Sequence, residues 1–134
     1  MRLKLNHEHW DRMRIHVEAC APLEACGLLA GKDDSTREVF LIANQAQSPV
    51  RFRMDPAEQL DAFNRMESME LDLLAIFHSH PAGPETVSPT DIAEAAYPVV
   101  QLIWSRSNGI WKARGFWIEK GQTTEVKLQL IRSE

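Results

Sequence analysis

Hydrophobic and polar positions along this chain switch between two periods. Residues 2–5, Arg-Leu-Lys-Leu, alternate and predict a short strand. Asn6 is placed to cap a helix over 7–20, in which Trp10, Met13, Val17 and Cys20 recur at helical spacing on one face. Ala21-Pro22 ends that helix, because proline cannot continue it. The apolar run 25–31 lies between turn signals and suits a buried strand; 37–44 predicts another, and 48–54 (Ser-Pro-Val-Arg-Phe-Arg-Met) one more. Asp55 caps a second helix with Pro56 at its first position, where a missing N–H costs nothing, and Leu60, Phe63 and Met66 give it an apolar face. Residues 71–80 are apolar on both sides through Phe77, as expected of a central strand. A third helix is predicted over 89–97, ending before Pro98. Strands over 99–105 and 110–120 flank Ser107-Asn108-Gly109, and Asn-Gly is a strong hairpin signal; 123–131 alternates as a last strand.

The expected fold class is α/β or α+β: a curved, mixed sheet of six to eight strands with about three helices. Much of it should be antiparallel, because hairpin signals outnumber long crossovers. At 134 residues the chain is expected to form one domain, 1–134, large enough to bury roughly 65–70% of its unfolded surface. Hydrophobic residues at 44% and charged residues at 25% are ordinary for a globular protein, so composition names no special class. Net charge is −4 and no Lys/Arg block stands out, which argues against a nucleic-acid footprint. No apolar run approaches the roughly 20 residues that span a bilayer, and the N-terminus has no apolar signal core, so a cytoplasmic location without membrane partners is expected. Cys20 and Cys26, the only cysteines, are too few for a Cys-rich zinc site and read as small buried hydrophobes, with a bond between them left open.

The chemistry concentrates in "FHSHPAGPETVSPTDIAEA", residues 77–95. His7 and His9 open a predicted helix, where side chains two apart diverge by about 200°, and His9 and His16 are about 10.5 Å apart along the axis. All three read as solvated helix histidines. His78 and His80 instead close a strand, where residues two apart share a face, so two imidazoles can meet one zinc ion. On the pair alone, two strand-end histidines bonded to a loop explain the residues equally well. A catalytic zinc needs a third protein ligand and an open position. Glu85 sits in a Gly-Pro-Glu loop that holds it poorly; Asp91 lies in the first turn of a helix, which fixes its direction. Yet Ser88-Pro89-Thr90-Asp91 is close to a capping box, so Ser88 and Asp91 could simply start that helix. Glu24, where a loop enters the apolar run, is the candidate general base; taken alone, an exposed loop glutamate is the simpler reading.

Taken together, these positions resemble the JAMM (MPN-plus) metalloprotease family, short single-domain prokaryotic type. The signature is an upstream Glu, then H-x-H, seven residues, Ser, two residues, Asp; here Glu24, His78-Ser79-His80, residues 81–87, Ser88 and Asp91. Pro81 and the context "EACGLLAG" are also similar, and the resemblance covers essentially the whole chain, implying the MPN (cytidine-deaminase-like) fold. It further implies that His78, His80 and Asp91 bind one Zn²⁺, with water in the fourth place. Glu24 would activate that water, and Ser88 would donate to the oxyanion. The implied substrate is a ubiquitin-like or sulfur-carrier (β-grasp) protein, cut after its C-terminal Gly-Gly at a peptide or isopeptide bond. Its tail would dock as an added strand, with 48–54 as a candidate edge offering Arg51 and Arg53. Two alternatives stand beside this: a non-catalytic MPN-type interaction module, which usually lacks the ligand residues, and a zinc hydrolase of a small amide.

Overall fold

The computed structural model describes residues 1–132. In chain order the elements are β1 (Arg2–Asn6), α1 (His7–Cys20), β2 (Cys26–Lys32), β3 (Ser35–Ile42), α2 (Pro56–Ser68), β4 (Asp72–His80), α3 (Pro89–Glu94), β5 (Val100–Ser107), β6 (Ile110–Glu119) and β7 (Gln122–Ile131). The strands pair in the order β1-β3-β2-β4-β5-β6-β7, and β7 returns to β1, so the sheet closes on itself. β2–β3, β2–β4, β5–β6 and β6–β7 are antiparallel, whereas β1–β3, β1–β7 and β4–β5 are parallel. The sheet is mixed, as expected, and β4 lies between two partners along nearly its whole length.

Two apolar clusters hold the fold. One fills the interior with residues from every strand, among them Leu5, Leu29, Val39, Phe77, Trp104, Trp111 and Val126, and α1 adds Met13 and Val17 to it. The other lies on the opposite face of β2–β4, where Cys26, Leu28, Ala30 and Ile76 pack against Ala62 and Met66 of α2. Alternation along β4 therefore sends Phe77 to the first cluster and Ile76 to the second. Gly27 has no room for a side chain: a Cβ there would run into the Phe77 ring and the Phe40 carbonyl.

The helix caps match the sequence. Asn6 accepts from the Glu8 N–H and Asp55 from the Glu58 N–H. The Asn108-Gly109 turn has φ of +52° and +77°, the positive pair that a two-residue hairpin needs. Lys120-Gly121 repeats it at +51° and +76° between β6 and β7.

Three details differ. Residues 48–54 are not a strand; among the described residues their backbone makes a single isolated bridge, Asn44 to Met54. The Asn44 side chain takes up backbone groups of Arg51 and Arg53 that a ladder would have used. α3 stops at Glu94 rather than 97: none of its residues is buried, so no packing sustains a longer helix. Leu60 is 62% exposed; the apolar face of α2 is turned instead onto Ala62 and Met66. Among the described residues no helix is long and apolar enough to cross a membrane.

Candidate metal centre

The end of β4 presents His78 and His80 on the face that Ile76 shares with α2. After β4 the chain turns through residues 81–87 and starts α3 at a complete capping box. The Asp91 N–H donates to Ser88 Oγ at 3.0 Å, and the Ser88 N–H donates to Asp91 Oδ2 at 2.8 Å. The cap and the candidate ligand are the same residue, because Asp91 Oδ1 lies 3.1 Å from His78 Nε2 and Oδ2 lies 3.1 Å from His80 Nε2. The two imidazole Nε2 atoms are themselves 3.1 Å apart. Glu24 closes the group from just before β2: a carboxylate oxygen and the two imidazole nitrogens all lie within 4.8 Å of one another. The structure thus brings Glu24, His78, His80 and Asp91 together and sets Ser88 beside them.

Proton placement follows from the partners. The Pro84 carbonyl accepts from His80 Nδ1 at 2.9 Å, which orients the ring so that Nε2 faces the cluster. His78 has no hydrogen-bond partner at Nδ1; its ring is buried and stacks on Phe52 with centroids 4.4 Å apart. Burial lowers the His78 pKa more than Asp91 raises it. At His80 burial also opposes the charged form, but the hydrogen bonds to Asp91 and Pro84 prevail and the pKa is raised. Burial would raise the Asp91 carboxyl, but the two imidazoles and the Ser88 N–H hold it far below the ordinary carboxylate range. Glu24, only 3% exposed, is pushed up to about 7 by burial, with His80 opposing and Asp91 reinforcing the shift. A buried carboxylate poised near neutrality is suited to moving protons.

Other residues fall differently from the sequence reading. His7 is exposed and pairs with Asp11, but His9 is half-buried with Nδ1 2.8 Å from Thr36 Oγ1, and His16 is half-buried near Cys20, so these two are not solvated. Both cysteines are free; Cys26 is buried, Cys20 half-buried. Glu85 is not loose: Arg114 holds it at 2.8 Å. Arg51 is engaged by Glu94 at 3.0 Å. Sequence reasoning passed over Ser79, whose Oγ accepts from the Ala25 N–H at 2.8 Å beside Glu24, as well as Phe52 and Asn44. Only the position of Ser79 inside H-x-H could have flagged it.

Residues 6–120 match the family described as prokaryotic homologs of the JAB domain. The chain belongs to that family. It is similar to a desampylase of Pyrococcus furiosus, 38% identical over 124 residues, covering 90% of this chain and 86% of the relative. It is similar to a probable TtuB-protein conjugate cleaving protease of Thermus thermophilus, 38% identical over 122 residues, 90% and 78% covered. A CysO-cysteine peptidase of Mycobacterium tuberculosis is 32% identical over 125 residues, 90% and 86% covered. Among solved structures, a protein of Desulfitobacterium hafniense superposes with a TM-score of 0.89 at 34% identity, covering 98% of this chain and 94% of that one.

The donor set of this JAB-family chain fits a metal ion. Tetrahedral zinc ligands at the usual bond lengths stand about 3.3 Å from one another, close to the contacts between His78, His80 and Asp91. A cavity of about 320 Å³ opens beside the cluster, with His78 and Asp91 in its wall and Phe52, Met54, Ile76 and Tyr97 as its apolar lining. An apolar cavity meeting a few convergent polar groups is the usual form of a substrate site.

Proposed function

We propose that this chain is a zinc-dependent peptidase or isopeptidase that hydrolyses the bond after the C-terminal Gly-Gly of a ubiquitin-like or sulfur-carrier protein. The observation that carries the reading is the convergence of two imidazole nitrogens and one carboxylate, with a second buried carboxylate beside them. The relatives' names, desampylase, conjugate-cleaving protease and CysO-cysteine peptidase, support the substrate class.

His78 Nε2, His80 Nε2 and the Asp91 carboxylate would hold one zinc ion. When bound, such an ion supplies a Lewis acid and brings the pKa of a water toward about 7. Glu24 takes a proton from the attacking water and passes it to the leaving amine; a carboxyl near neutrality both accepts and returns it. Ser88 Oγ already accepts the Asp91 N–H, so its own proton is free to be donated to the scissile carbonyl oxygen as charge builds there. The Pro84 carbonyl keeps the His80 proton on Nδ1. A Gly-Gly tail suits the site, because glycines let the backbone come close to the reacting centre. Residues 48–54 do not offer a strand edge, and Arg51 is committed to Glu94.

A β-grasp carrier fused through its C-terminal Gly-Gly to a reporter tests the reading. Release should occur with zinc-loaded protein and stop when a chelator strips the ion. Full release after the ion is removed would overturn it.

A further inference from the structure

Asn44 follows β3 and uses its whole side-chain amide. Nδ2 donates to the Glu24 carbonyl at 3.0 Å and to the Arg51 carbonyl at 3.0 Å. Oδ1 accepts the Ala46 N–H at 3.0 Å and the Arg53 N–H at 2.9 Å. Two donors and two acceptor positions exhaust the capacity of the group. Three of the four bonds shape the loop 45–53, whose neck is closed by the Gln45 N–H on the Arg53 carbonyl at 2.7 Å. The fourth leaves the loop and reaches the residue that carries the base.

The loop answers from the other side, since the Glu24 N–H donates to the Ser48 carbonyl at 2.9 Å. Both the N–H and the C=O of Glu24 are therefore held by the Asn44 loop. That segment also brings Phe52 onto His78 and supplies Phe52, Arg53 and Met54 to the cavity wall. A loop that needed only internal order would have no use for the bond to Glu24.

We propose that Asn44 is a positioning residue for catalysis: it locks the Glu24 backbone to the cavity loop, so that the base and one substrate-facing wall keep a fixed relation. The catalytic part of this statement rests on the function proposed above. Asp at position 44 keeps an acceptor for Ala46 and Arg53 but faces the Glu24 and Arg51 carbonyls with an oxygen instead of an N–H. It loosens the tie while leaving the loop's acceptor bonds.

The test compares wild type with Asn44→Asp in zinc-loaded form. A small misplacement of the base should lower kcat by about 10- to 100-fold, with KM within about threefold and zinc content equal to wild type. Hydrogen–deuterium exchange supplies a reading independent of turnover: the Glu24 amide, which donates to the Ser48 carbonyl of the loop, should exchange faster, with the β4 amides unchanged. Unchanged kcat, a loss confined to KM, a loss that tracks missing zinc, or an unchanged Glu24 amide would each overturn the assignment. If Asn44→Asp does not fold, Asn44→Ala is read by the same criteria. If wild type cleaves no Gly-Gly carrier, the proposed function fails, while the exchange pattern still decides whether Asn44 couples the two segments.

Discussion

Glu24 lies two residues before Cys26, the first residue of β2, which pairs with His78 across the β2–β4 ladder. The Ser79 N–H donates to the Ala25 carbonyl at 3.0 Å and Ser79 Oγ accepts the Ala25 N–H at 2.8 Å, so the residue next to Glu24 is tied to the residue between the two histidines. The ligand candidate is thus set by a strand, and the base candidate sits where that strand's neighbour begins, with its own backbone held by the Asn44 loop. Strand-built sites hold their geometry more closely than loop-built ones.

Glu24→Gln keeps the shape of the side chain and removes its proton chemistry. Turnover of a Gly-Gly fusion should fall by at least about 100-fold, the lower end of the usual range for a general base, with zinc content unchanged. Steady-state kinetics and elemental analysis on the same preparation check both halves.

The same substitution has a pH signature in the metal-free protein. Glu24 keeps its proton up to about 7 when folded, against 4.5 when unfolded. Between those values the folded state binds more protons, so wild type loses stability as pH rises, and the loss is complete above about 7. Gln carries no such penalty. The stability of Glu24→Gln relative to wild type should therefore grow by about 3 kcal/mol from pH 4 to pH 8, as read by urea unfolding.

Asp91→Asn retains an oxygen for the Ser88 N–H but removes the charge that faces both imidazoles. The helix start should survive in circular dichroism. Zinc affinity should fall by more than the roughly 10–100-fold that follows loss of an outer-shell partner. Competition with a chromogenic chelator measures it.

Ser88→Ala separates two roles of one hydroxyl. Loss of the α3 cap should cost about 1 kcal/mol in thermal or denaturant unfolding. Loss of the donor to the carbonyl oxygen should lower kcat by about 10²–10³-fold. A variant that loses only stability would leave Ser88 a capping residue.

Gly27→Ala tests the packing behind the site. The added methyl meets the Phe77 ring and the Phe40 carbonyl, and overpacking of this kind should cost about 1–3 kcal/mol in urea unfolding.

The sequence exposed most of this arrangement because its signals are local. His78 and His80 share a face through strand period alone, and Ser88 with Asp91 announces a helix start. Glu24 is different: its partner lies 56 positions further along, and only the β2–β4 register joins them, so residue types at a distance had to stand in for geometry. Residues 48–54 were misjudged because alternation in Ser-Pro-Val-Arg-Phe-Arg-Met looks like a strand, while the competitor for its backbone groups is a side chain four positions earlier. Leu60 looked like core because helical spacing places it near Phe63, but the α2 face that meets the sheet is centred on Ala62 and Met66. Lys120-Gly121 turns as Asn108-Gly109 does, yet lysine at a positive φ carries no such sequence warning.

The double duty of Asp91 reaches beyond the ion. α3 has six residues and buries none, so its position depends heavily on its first turn, where the residue that caps it also faces the two imidazoles. Glu94, Ala95, Ala96 and Tyr97, at its far end and just beyond, line the cavity. Anything that steadies Asp91 therefore steadies that wall as well, and in the function proposed above an ion held by Asp91 and a molecule seated against the wall would favour one another by reciprocity. On that proposal, loading and substrate capture would be two readings of a single equilibrium.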